Sequence, residues 1–499
     1  MSSPSHAPAA RWSLLWLLAL GLLLGFAFQG TRGLYSPDEG RYVDAALEML
    51  DSGNYLAPAY SPDEVNFSKP PTTYWFIAAS FKLFGRNTWA ARVPYGLAFL
   101  ATLLLIYGMG KRLVPDKPWL PALIYACSIF PFMSSNIIST DVFLALCEAV
   151  AMLGFVGAAF GDDEGRRKRN VLLMWIGWGL AFLTKGPPGL MPLLAVIPFI
   201  ASRDGWRGLR RFFPLAGIVL FLAIGLSWYL VVILRYQGLL QYFLQQEVYN
   251  RLFTGAHHRH AGFFGWIVVY VPTLVLGIVP WWPGLVRGIR CALSEGTWKT
   301  WKNTHSAELF LLMWFVIPLV VFCLVQSRLP LYVLPLFIPL SLLLALEIRE
   351  RVDLGKVRQR VWLGAWIVLL LAVKGVAAFA WHPPVDNRDA ARELATFMPP
   401  EHYRALVFVE DTDQSYTIEE ATPWGVRLYL DKPVYGIPWR APQAAAGICH
   451  ALRTAGSTLV IVDADFKPED LKPALALCPP SRVTPLGAWR GQAVEWIQM

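Results

Sequence analysis

Few residues in this chain can do chemistry, and they sit close together. Tyr35-Ser36-Pro37-Asp38-Glu39 recurs as Tyr60-Ser61-Pro62-Asp63-Glu64. Asp38, Glu39 and, further on, Asp141 offer carboxylates able to take or hold a proton. Lys69, Lys185, Arg251, Arg259 and Arg328 offer positive charge. The run His257-His258-Arg259-His260 invites a metal reading, but its spacing is not that of a helical zinc pair.

The two copies of the motif read differently. In the first, Ser36 suits an N-cap, Pro37 the first helical position, and Glu39 the third position of a capping box. Tyr42, Ala46, Met49 and Leu50 then share one helical face, which predicts an amphipathic helix along a membrane surface. The second copy runs into Lys69-Pro70-Pro71, where no helix can continue. Pro62 and Asp63 there predict a turn.

The elements that must position these residues are apolar. Of 499 residues, 55% are hydrophobic and only 16% charged. The mean hydropathy is +0.43. The apolar residues come in blocks of about 17–22, enough to cross a bilayer as helix. Spans are expected near 12–28, 89–110, 119–134, 141–160, 171–184, 188–201, 212–234, 263–283, 308–326, 330–347 and 361–381. The first reads as an uncleaved anchor with its N-terminus inside. Glu148 and Lys374 are charges within such runs, and neither has a role from its neighbours in sequence.

The net charge of +9 does not point to nucleic acid. Its Lys and Arg gather in alternate loops, such as Arg166 to Arg169 and Arg349 to Arg360, which read as cytoplasmic. Loop 30–88, Ser134 to Asp141, Thr184 to Pro187, loop 235–262 and Gln326 to Arg328 then face outward. These outward loops hold nearly all the reactive side chains. That is a one-sided site, unlike the midplane path of a channel or pump. No internal repeat of a transporter kind is visible.

Beyond residue 381 the chain changes character. Leu406 to Val409 and Thr458 to Val462 read as short buried strands. The expected architecture is a polytopic α-helical membrane protein of about eleven transmembrane helices, residues 1–381, with a soluble α/β domain at 382–499. An odd number of spans places that domain outside. Cys449 and Cys478 lie in it, where an exported domain permits a disulfide without requiring one.

Several motifs, taken in order, resemble the lipid-sugar-dependent glycosyltransferases of the GT-C superfamily. They are Asp38-Glu39-x-Arg41-Tyr42, Lys69-Pro70-Pro71-x-x-Tyr74-Trp75, Phe84-Gly85, Trp89-Ala90-Ala91-Arg92-x-Pro94, Asp141, Lys185-Gly186-Pro187, His260, Pro280-Trp281 and Ser327-Arg328-Leu329-Pro330-x-Tyr332-x-x-Pro335. The likeness is nearest to the 4-amino-4-deoxy-L-arabinose (lipid A) transferases, relatives of the protein O-mannosyltransferases. It covers about 340 residues.

The resemblance implies the roles. Asp38 would be the catalytic base, with Glu39 and Asp141 completing the catalytic carboxylates. Lys69, Arg251 and Arg328 would bind the donor phosphate. Arg41, Tyr74, Lys185, His260 and Tyr332 would line the site. The donor would be a polyprenyl-phosphate sugar, and the acceptor lipid A, another envelope glycoconjugate or a protein. The setting would be a bacterial inner membrane, with the site and tail domain on the periplasmic side. Neither a cofactor nor a metal is expected. Two positions depart from the family pattern: Ser68 stands where an acidic residue precedes Lys-Pro-Pro, and Val248 follows Glu247 where the pattern has His. A metal held there in relatives would find neither ligand in this chain. The competing class is a transporter or flippase of a lipid-linked sugar.

Overall fold

The computed structural model describes all residues except 1–6, 63, 162, 251–259, 261, 382, 414 and 464–470. The chain forms two units. One contains Met1–Ala27, Ser68–Pro70 and Tyr95–Lys374; the other contains Phe28–Phe67, Pro71–Pro94 and Gly375–Met499.

The first unit is helical. Five helices are long and apolar enough to cross a membrane: Thr88–Leu113, Thr140–Ala159, Ala307–Leu324, Pro330–Ile348 and Val357–Phe379. Two bent pairs raise the number to seven if each crosses once. Several expected runs differ in detail, and run 212–234 is itself two helices, Leu215–Gly225 and Ser227–Arg235. Run 119–134 is two helices, Leu120–Cys127 and Ile129–Ser134, because Ser128 is extended and donates its hydroxyl back to Ile124 O at 2.6 Å. Run 263–283 stops at Gly277 and resumes at Trp282. Pro280 lies in the gap and has no N–H to continue a helix. Run 171–184 begins earlier, at Glu164, since the Asp163 side chain caps the N–H of Arg166. The basic cluster Arg166 to Arg169, expected in a loop, is therefore helical.

Aromatic packing fills this unit. The Phe155 and Phe310 rings lie 4.6 Å apart, and Trp178 and Trp314 are fully buried. Lys374 has a structural use here. It donates to Leu24 O at 2.8 Å and lies 5.9 Å from the Phe132 ring centroid. The last carbonyls of helix Ala7–Phe26 lack partners in their own helix and carry its negative end, so an ammonium is welcome there.

The second unit holds the sheet. Strands β1 (Ala59–Ser61) and β2 (Glu64–Val65) form a hairpin around Pro62, in line with the expected turn; Asp63 lies outside the described residues. Strands β3 (Ala405–Glu410), β4 (Val434–Pro438), β5 (Ser457–Val462), β6 (Arg482–Trp489) and β7 (Gln492–Gln498) make a mixed sheet in the order β4-β3-β5-β7-β6. The two apolar runs expected as strands are β3 and β5, paired in parallel. Both are buried, as strands at the centre of a covered sheet must be. Val407, Val460, Ile448 and Leu452 share one core with Cys449 and Cys478, both free thiols. Burial pushes the Cys478 thiol up to about 12.

The helix expected along the membrane surface is Asp38–Ser52, but it is not a surface helix. Every residue from Glu39 to Met49 is buried. Asp44, Glu48 and Asp51 recur along one face at helical spacing. Arg427 covers that face, donating to Asp44 at 3.3 Å and to Glu48 and Asp51 at 2.8 Å. A guanidinium from the tail faces these acids. Gly40 permits this approach, since a Cβ there would stand 2.6 Å from the Gly425 backbone nitrogen.

Candidate active site

In the second unit, the first motif opens helix Asp38–Ser52. The expected capping box does not form: Pro37 occupies the N-cap, with no side-chain cap. The Ser36 hydroxyl instead meets Asn387. Glu39 does reach back, accepting from Tyr35 N at 2.9 Å. It is also gripped by two guanidinium groups, Arg32 at 2.6 Å and Arg92 at 2.8 Å. Burial alone would raise the Glu39 carboxyl. Arg32 and Arg92 outweigh it and hold it at about 2. A carboxylate so held is a poor proton acceptor. Glu39 therefore stays charged and ties the loop together.

Asp38 is different. Its side chain is 44% exposed and ion-paired with Arg41. Arg41 is nearly buried and also donates to Glu419 of the tail at 3.2 Å. Glu419 in turn accepts from Asn66 at 2.5 Å. Tyr60, Asn66 and Glu419 border a cavity of about 30 Å³, room for one water. Tyr74 packs on Tyr42 with ring centroids 5.6 Å apart.

In the first unit, a second carboxylate meets a second cation. Asp141 begins helix Thr140–Ala159, and Lys185 ends helix Glu164–Lys185. They form a nearly buried ion pair. The Lys185 ammonium also lies 4.3 Å from the Tyr332 ring centroid. The charges suit their helix ends, acid at the N-terminus and base at the C-terminus. Glu148 is buried two turns further along.

Two of the three expected phosphate-binding residues, Lys69 and Arg328, are among the described residues. Lys69 stands 3.8 Å from Glu247, which thus has a cation beside it. Arg328 is buried. It donates to the carbonyls of His260 at 2.7 Å, Gly262 at 2.8 Å and Cys323 at 2.9 Å. These carbonyls orient the guanidinium, and its Nε has no acceptor among the described residues. His260 enters through that carbonyl, at a positive φ of 51°. Arg251 and His257 to Arg259 lie outside the described residues. Among the described residues, no group of three or more His, Cys, Asp or Glu side chains could hold a metal ion.

Reading along the sequence missed Arg32, Glu419 and Arg427. Glu419 and Arg427 have remote partners, Glu419 lying 378 positions beyond Arg41, whereas Arg32 pairs with Glu39 only 7 positions on. Arg92 had a signal, as the Arg of the Trp89-Ala90-Ala91-Arg92 motif.

Apolar spans with loop carboxylates, each beside a cation, make this a polytopic membrane protein, and the comparisons give its class, a glycosyltransferase of the GT-C kind. Residues 68–230 match the family model of dolichyl-phosphate-mannose-protein mannosyltransferases. The undecaprenyl phosphate-α-4-amino-4-deoxy-L-arabinose arabinosyl transferase of Aeromonas salmonicida is 30% identical over 440 residues, 86% of this chain and 77% of that one. Its namesake from Enterobacter sp. is 30% identical over 403 residues, 77% and 69%. The crystal structure of ArnT from Cupriavidus metallidurans bound to undecaprenyl phosphate superposes with a TM-score of 0.70 over 98% of each chain, at 19% identity. The chain belongs to the undecaprenyl phosphate-aminoarabinose arabinosyl transferase family, and it is a glycosyltransferase.

Proposed function

We propose that this enzyme moves a sugar from a polyprenyl phosphate to lipid A or a related envelope glycoconjugate, at the periplasmic face of the inner membrane. The names of its relatives support a polyprenyl-phosphate donor and an aminoarabinose-type sugar. The apolar runs of the sequence support eleven crossings for the membrane part, with residues 382–499 as a soluble periplasmic domain.

Asp38 is the base. The acceptor hydroxyl oxygen attacks the anomeric carbon as its proton passes to the Asp38 carboxylate. The bond from that carbon to the phosphate oxygen breaks with inversion. Polyprenyl phosphate leaves as a dianion and needs no proton, only positive charge. Lys69 and Arg251 supply it, while Lys185 is held for the site by Asp141. Neither step calls on a metal. The observation that carries this reading is the Asp38–Arg41 pair: an exposed carboxylate at a helix start, aimed by a nearly buried guanidinium.

The test is mass spectrometry of envelope glycolipids and glycoproteins from cells making wild type or Asp38→Asn at matched levels. The substitution is expected to cost about 10²–10⁴-fold in turnover while the protein still folds. A lipid A species losing one sugar mass in the mutant supports the proposal. Loss of a sugar from a protein instead would move the acceptor to protein, as the mannosyltransferase match allows. Wild-type rates in Asp38→Asn would remove Asp38 as base.

A further inference from the structure

A second charged site lies at the other end of the helical unit. A cavity of about 710 Å³ is bordered by Arg287, Arg351, Lys356, Arg358, Trp281 and Trp362, with aliphatic residues between them. Segment Pro330–Ile348 runs from Tyr332, beside Lys185, to this cavity. Its 19 residues span roughly 30 Å. That is about one hydrocarbon thickness. The cavity is therefore at the opposite membrane face from the Asp141–Lys185 pair, where the basic loop Arg349 to Arg360 reads as cytoplasmic.

The cavity is built rather than incidental. Lys117 donates to Arg349 O at 2.6 Å and Val352 O at 2.7 Å, pinning the loop from below. Gln359 closes it, donating to Arg351 O at 2.9 Å and accepting from Asp353 N at 2.7 Å. Arg287 pairs with Glu347. Among the described residues no carboxylate pairs with Arg351, Lys356 or Arg358. Trp281 is 8% exposed, and its indole N–H has no acceptor among the described residues. Three cations and a buried donor therefore border one hollow without an anion.

The surroundings place a lipid there. Helix Trp282–Ala292 leaves Gly265–Gly277 at 113°, so the two do not continue as one straight helix. Trp282, Val286 and Ile289 lie on one face of it and are exposed. An exposed apolar face on such a helix belongs in the acyl–headgroup boundary. The cavity opens at that depth, with Trp281 and Trp362 6.3 Å apart in an edge-to-face contact. We propose that it binds the phosphodiester headgroup of an anionic phospholipid of the cytoplasmic leaflet, its acyl chains lying along the tryptophans. Basic pockets between membrane helices on that face are suited to such headgroups.

The test uses purified, delipidated full-length protein in detergent. Native mass spectrometry and thermal unfolding are followed on adding phosphatidylglycerol, diphosphatidylglycerol, phosphatidylcholine or inorganic phosphate. The anionic lipids should bind and stabilise wild type, with phosphatidylcholine and phosphate ineffective. Arg351→Gln or Arg358→Gln should each weaken binding about fivefold, and the triple variant Arg351→Gln/Lys356→Gln/Arg358→Gln about 10²-fold, from the usual worth of a cation near such a surface. Arg351→Lys/Arg358→Lys should keep most of it, which guards against a folding artefact. Equal binding of phosphatidylcholine, or an unchanged affinity in both single variants, would overturn the proposal. Inorganic phosphate stabilising as well as lipid would make this a free-anion site and overturn it too.

Discussion

Arg41 joins Asp38 to Glu419: one guanidinium pairs with the carboxylate one helical turn before it and donates at 3.2 Å to a carboxylate of the tail. The orientation of Asp38 thus depends on a residue 378 positions beyond Arg41. Glu419→Gln removes the charge and keeps the shape. A partly buried pair of this kind contributes about 1 kcal/mol, or roughly fivefold. The expected result is kcat lower by about that factor with the donor KM unchanged, and partial rescue by Glu419→Asp. A change in KM alone would make Glu419 a matter of folding or binding.

Arg427 has three carboxylates to satisfy, two of them buried. Burial raises the Asp44 carboxyl even with Arg427 against it. Arg427→Ala would leave Asp44 and Glu48 facing one another without a cation, while Asp51 keeps Arg86. Breaking a buried pair costs about 3–5 kcal/mol. Thermal unfolding of the purified variant should show an early transition, and limited proteolysis should open the tail first.

Glu39 makes stability depend on pH. Its carboxyl stands at about 2 in the fold against 4.5 free, a depressed value. The stabilisation is therefore complete above pH 4.5 and is lost as pH falls toward 2, worth about 3 kcal/mol in all. Glu39→Gln removes this dependence. Melting curves of wild type and variant should differ most at neutral pH and converge through that window. A constant gap down to pH 2 would contradict the clamp.

Lys185 and Asp141 are each about one-tenth exposed, so each needs the other. Lys185→Met should cost about 3 kcal/mol of stability and most turnover, by leaving a buried carboxylate alone. Lys185→Met/Asp141→Asn should recover stability but not turnover. Full recovery of both would reduce the pair to a structural bridge.

The chain itself announced a polytopic membrane protein, because apolar blocks of bilayer length leave a helix little alternative. It also announced β3 and β5, since buried parallel strands read as unbroken apolar runs. Asp38, Asp141, Lys69 and Lys185 were visible as rare polar residues in outward loops and as family motifs. What each does with its neighbours was not visible. Glu39 passed for a helix cap until Arg32 and Arg92 closed on it. That three carbonyls hold the Arg328 guanidinium was not visible either. Helix Asp38–Ser52 passed for a surface helix until Arg427 covered its acids. Hydropathy and spacing act along the chain, so sequence alone determined the elements and the reactive residue types. Ion pairing acts through space within a few ångströms, so only the tertiary structure decided which carboxylate is clamped and which is left exposed.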